Sequence, residues 1–145
     1  MEMRHVADLH KVAEARFERD AADLRQSLAA EARLTAALDA IAASQARRSE
    51  ALTGDLAVAF AQTGAALWQT WAEARRRELL MALANQRAVT EAIKLRARAS
   101  FGRTSALAAL TDQTREDIRE DAARRETERL VELEMHRRWM KTPGD

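Results

Sequence analysis

The sequence predicts an all-α fold, a long antiparallel two-helix coiled-coil hairpin, and three observations predict it. The first 142 residues contain no proline, and the single one is Pro143. Proline lacks the N–H and clashes with the preceding helical turn, so its absence leaves nothing to stop a helix. Only four glycines interrupt the chain, Gly54, Gly64, Gly102 and Gly144, and much of the rest is Ala, Leu, Arg and Glu. These four are strong helix formers. Third, apolar residues recur every 3.5 positions on average, the coiled-coil period.

The first helix is predicted over about 2–54. Its ladder is Phe17, Leu24, Glu31, Leu38, Gln45, Leu52 and Ala59, with companions at Leu28, Leu34, Ile41 and Leu56. Glu31 and Gln45 fall on the seam; polar residues there weaken a coil but fix its register. A turn region is predicted over 54–65. Gly54, between Thr53 and Asp55, offers one stop and restart. Gln62-Thr63-Gly64 offers another, with Thr63 able to cap a following helix. The segment between them carries Leu56, Val58 and Phe60 and is read as partly helical.

The second helix is predicted over about 65–140, with a short tail at 141–145. Its ladder is Leu79, Gln86, Ile93, Ser100, Leu107 and Thr114; the alternate positions are Leu83, Thr90, Ala97, Thr104, Thr111 and Ile118. Small residues there allow close helix approach. Surface pairs spaced i,i+4 are expected at Glu73–Arg77, Arg87–Glu91, Glu120–Arg124, Asp121–Arg125 and Glu134–Arg138. Each contributes about 0.2–0.5 kcal/mol. Gly102 reads as a weak point inside the helix, costing about 1 kcal/mol relative to alanine. A turn near residue 60 sets Leu24 near Phe101, Leu38 near Arg87 and Ala88, and Phe17 near Leu107 or Ala108. The second helix outlasts the first, so its last 15 to 20 residues or so are expected to project; sixty helical residues span about 90 Å.

At 145 residues the chain reads as a single domain. Its apolar fraction is 47%, yet with three Phe, three Trp and no Tyr it suits a thin seam better than a thick core. Charge is nearly balanced, 24 basic against 23 acidic, which gives no bulk attraction to nucleic acid or an anionic membrane. There is no cysteine, hence no thiol chemistry. No run of about 18 apolar residues exists, so no membrane span is expected, and the chain reads as soluble and cytoplasmic. Arginine outnumbers lysine 21 to 3, which with the alanine content suggests a GC-rich bacterial genome.

No catalytic signature, cofactor motif or metal-ligand spacing is present. A phosphate cradle needs closely spaced glycines whose N–H groups converge, and here the glycines lie far apart. His5 and His10 are five apart and point to different faces, so with His136 they read as surface histidines. Arg75-Arg76-Arg77 wraps around its helix between Glu73 and Glu78 and reads as a solvated surface. Trp68 and Trp71 share a face near the turn. They either clamp the tip against Leu56 and Phe60 or form, with them, an apolar patch for a partner. Trp139, with Met135 and Met140, lies on the projecting end, where large apolar residues without an internal partner mark an interaction site.

Several segments together resemble the flagellar type III export protein FliJ family and its virulence-secretion relatives. The length is similar, and Leu9-His10-Lys11-Val12-Ala13-Glu14 followed by Ala21-Ala22-Asp23-Leu24 resembles the family's N-terminal helix. The stretch 68–87, opened by tryptophan and with Gln86-Arg87, resembles its post-turn segment. The stretch from Glu126-Thr127-Glu128 to Arg137-Arg138, with a late proline, resembles its C-terminus. The resemblance implies a non-enzymatic antiparallel coiled coil similar to the central stalk of a rotary ATPase. It would lie peripheral to the inner membrane and bind a hexameric export ATPase, an export gate membrane protein and export chaperones. The ATPase-binding end would comprise Phe17, Arg124, Val131, Met135 and Trp139. The gate-binding face would comprise Leu38, Ile41, Leu79, Ala82 and Gln86. Arg48 and Arg75 stand where the family often has aromatics. Two other classes fit the composition: an amphipathic-helix protein coating a hydrophobic surface, as phasins coat polymer granules, or a self-associating coiled-coil scaffold.

Overall fold

Two helices account for every described residue of this computed structural model, which describes residues 2–51 and 58–141, with side chains for 4–50 and 64–141. Helix α1 is Glu2–Ala51, 50 residues, and α2 is Val58–Lys141, 84 residues. The fold is all-helical, and no strand occurs among the described residues. Seam-facing hydroxyls inside α2 find backbone acceptors one turn earlier. Thr111 donates to the Leu107 carbonyl at 2.7 Å and Ser100 to the Arg96 carbonyl at 3.1 Å. This back-bonding one turn earlier lets Thr and Ser occupy helix interiors without an unsatisfied group.

The helix bounds differ from the sequence expectation at the turn. Residues 58–65 had been placed in the turn region, yet α2 starts at Val58 and runs straight through Gly64. Gly64 does so because no described glycine takes a positive φ. Thr63 therefore lies inside α2 and not ahead of its start. Gly54 and the tail at 142–145 lie outside the described residues.

Contacts within the chain group it into two units. The larger comprises residues 16–100. In it the two helices pack on each other, and partners along α2 fall in number as those along α1 rise. Asp20 and Asp23 meet Arg96, Ser27 meets Thr90, and Arg48 meets Trp68. The earlier start of α2 shifts the pairing from that expected. Leu38 packs against the cluster of Ile41, Ala72 and Leu79, not beside Arg87 and Ala88. That is a displacement of about two helical turns. Leu34, Ala37 and Trp68 complete the cluster.

On α2, every ladder position from Leu79 to Thr114 is buried or half-buried. On α1 the described ladder from Phe17 to Gln45 is half-buried, but its companion Leu28 is 44% exposed. The true alternate row is Asp20, Ser27, Leu34 and Ile41, seven residues apart. Ser27 takes the seam place assigned to its neighbour.

The smaller unit comprises residues 1–15 and 101–145. Its half-buried positions are Val6, Ala7, His10 and Ala13 on α1, and Thr104, Leu107, Ala108, Thr111 and Thr114 on α2. None of its described residues is fully buried, and from 115 to 141 every residue is exposed. Short-range pairs decorate this surface: Lys11–Asp8 at 3.8 Å, Arg115–Asp112 at 3.6 Å and Arg124–Asp121 at 3.0 Å. The spacing is i,i+3, so Asp121 reaches Arg124, whereas Arg125 was the expected partner.

Candidate functional site

The gate-binding residues inferred from the resemblance do not form one outer face. Ile41 and Leu79 are buried at 8% and 5% exposure, and Leu38 packs against the cluster they form with Ala72. These three hold the helices together. A side chain at a seam position is committed to its cross-helix neighbour and has little surface left for a partner. Ala82 is exposed, beside Leu80 and Met81. Gln86 is half-buried and turned toward α1.

Gln86 belongs to a closed polar ring that the ladder did not reveal. Its Nε2 donates to the Ser27 hydroxyl at 2.7 Å. The Ser27 and Thr90 hydroxyls lie 2.8 Å apart, and Thr90 donates to the Gln86 carbonyl at 3.0 Å. A hydroxyl has one proton to give. Thr90 uses its own on Gln86, so Ser27 must donate to Thr90. The ring then runs one way, from the Gln86 amide to Ser27, to Thr90 and back to the Gln86 backbone. Thr90 is fully buried, and hydrogen bonds arranged head to tail in such surroundings reinforce one another. One to two turns away, Arg96 spans Asp20 and Asp23 at 2.8 and 2.6 Å, joining the helices by a fork across two carboxylates.

The tip residues divide. Leu56 and the side chain of Phe60 lie outside what is described. Trp68 is half-buried against the apolar cluster, with the Arg48 guanidinium 4.2 Å above its ring, a cation–π stack. Trp71 is 56% exposed, its ring centre 6.4 Å from that of Trp68, and Leu67 is exposed beside it. Arg48, flagged in the sequence for replacing an aromatic, therefore covers one. Arg75 pairs with Glu78 at 3.0 Å.

The residues assigned to the ATPase-binding end also divide. Phe17 is half-buried and belongs to the larger unit. Arg124, Val131, Met135 and Trp139 are exposed in the smaller one. Glu132, Met135, His136, Arg138 and Trp139 line a shallow surface groove there. Its lining combines the Met135 thioether and the Trp139 indole with charged side chains of both signs, Glu132 and Arg138. Such an arrangement suits an apolar anchor with a polar border.

Lys94 holds the Glu91 carboxyl below the usual carboxylate range, first by its hydrogen bond and then by its charge. Among the described residues no three His, Asp or Glu side chains come together to hold an ion. His10 approaches Glu14, at 3.8 Å. No described helix is long and apolar enough to cross a membrane. What the arrangement offers is contact surface: an exposed helical end bearing large apolar side chains, and a polar seam that fixes helix register. No family model, curated protein or solved structure matches the chain.

Proposed function

We propose that the chain is a non-enzymatic central-stalk component of a bacterial type III protein export apparatus, folded as an antiparallel two-helix coiled-coil hairpin. The observation that carries this reading is the exposed run 115–141, with Val131, Met135 and Trp139 on one side of it at 50%, 64% and 82% exposure. Apolar side chains of that size left in water favour a partner. The falling order of α2 partners along α1 supports the antiparallel arrangement, and the heptad ladders support the coiled coil. The resemblance to the FliJ family supplies the partner: the hexameric export ATPase at this end. Export chaperones and the gate membrane protein would bind elsewhere, with Leu80, Met81 and Ala82 as outer apolar atoms for the gate while Leu38, Ile41 and Leu79 hold the helices in place.

Capture of the export ATPase encoded by the same genome tests this reading. The wild-type chain should retain the ATPase. Met135→Glu combined with Trp139→Ala should weaken capture about 30-fold, since a buried tryptophan anchor contributes about 2 kcal/mol or more. Circular dichroism should show unchanged helix in that variant. Wild-type chain that is helical and fails to bind the ATPase removes the proposal.

A further inference from the structure

The exposed end of α2 carries a second stripe, facing away from Val131, Met135 and Trp139. At about 100° per residue, Ala123, Glu126, Leu130, Leu133, Arg137 and Met140 fall on one narrow face, spaced alternately three and four apart. Leu130, Leu133 and Met140 are 56%, 56% and 74% exposed, so nothing among the described residues covers them. The stripe begins where the ladder shared with α1 has ended, since Thr114 is its last half-buried position.

Read in the opposite direction, this stripe complements itself. Two copies laid antiparallel about a two-fold axis between Val131 and Glu132 set Leu130 against Leu133, Glu126 against Arg137 and Ala123 against Met140. Symmetry makes each match twice, as an isologous interface requires. The apolar pairs meet at the centre, opposite charges meet one layer out, and a small residue receives a long one at the edge. Glu120 and Lys141 flank the seam as a further pair of opposite charge. Parallel in-register packing would instead stack Glu126 on Glu126 and Arg137 on Arg137, which like charges oppose. We propose that this face binds a second copy of the chain, as an antiparallel helix pair over residues 123–140. The inference does not rest on the export reading, because the ATPase-facing residues lie on the other side of the helix.

The contact is about five turns long with few large side chains, so the dimer should be weak, with Kd in the micromolar range. Sedimentation equilibrium of the full chain from low to high micromolar concentration should show a monomer–dimer equilibrium. Leu130→Glu should weaken it at least about tenfold. Glu126→Arg alone and Arg137→Glu alone should each weaken it. The chain carrying both should recover wild-type association, because the charges are exchanged within each symmetric pair. Ala123→Cys mixed with Met140→Cys should form a disulfide-linked dimer on oxidation, and Ala123→Cys alone should not. These positions have no buried neighbours, and circular dichroism should confirm intact helix in each variant. A monomer at every concentration overturns the proposal, as does cross-linking of Ala123→Cys to itself or failure of the charge exchange to restore association.

Discussion

Thr90 has no exposed surface and uses its hydroxyl both to accept from Ser27 and to donate to Gln86. Thr90→Val keeps the shape and removes both functions. Ser27, itself buried, then loses its acceptor, and the Gln86 carbonyl loses a donor. A buried group left unsatisfied costs about 1–3 kcal/mol. Urea unfolding followed by circular dichroism should show Thr90→Val destabilised by that amount. Ser27→Ala added to Thr90→Val should cost less than the two changes would separately, because removing both hydroxyls removes the stranded one. This ring was only half legible in the sequence. Gln86 and Thr90 stood on the predicted ladders as isolated polar interruptions. Ser27 stands beside Leu28, and an apolar residue next to a serine looks like the better seam position when one helix is read alone. The hydroxyl earns its place only through a partner on the other helix, and no single-helix periodicity contains that information.

At the scale of the helices, the pattern on α2 read cleanly from Leu79 to Thr114, since its seam is a strict heptad of mostly small and aliphatic residues. The turn did not read cleanly. A glycine is an ordinary stop signal, yet Gly64 lies within α2, and the cross-helix partners move with that boundary. Gly102 was correctly placed inside the helix, and a Cβ built on it meets nothing within 4 Å. Gly102→Ala should therefore stabilise the chain by about 1 kcal/mol through helix propensity. A higher midpoint in urea at unchanged slope would show it. A lower midpoint would mean that something outside the described residues packs against this point.

Over the whole molecule, burial is uneven. Among the described residues, the buried side chains, from Ser27 and Ile41 to Ala97 and Ser100, belong to residues 16–100. The run 115–141 is exposed throughout and carries short-range charge pairs such as Arg124–Asp121, which contribute about 0.2–0.5 kcal/mol each. Local opening follows buried contact. Amide hydrogen exchange at low micromolar protein should be slowest around Ser27, Ile41, Leu79 and Thr90, and fastest across 115–141. At higher concentration, protection should rise over 123–140 where the chain self-associates. Composition foretold this imbalance in outline, since an alanine-rich chain with few aromatics cannot bury much. It did not foretell where the burial would concentrate, because that depends on which ladder positions meet across the helices.

The one-way ring of Ser27, Thr90 and Gln86 bears on how the two helices respond to a lengthwise pull. Heptad seams tolerate sliding, because a step of about 10.5 Å returns similar residues to similar places. Here such a step in one direction sets Thr90 against Leu34 and Ser27 against Ala97; in the other it sets Ser27 against Leu83 and Thr90 against Asp20. Either way the Ser27–Thr90 hydrogen bond is lost and the Ser27 hydroxyl faces hydrocarbon. The ring thus works as a shear pin: an axial load applied to one helix is handed to the other at this level instead of being lost to creep between them.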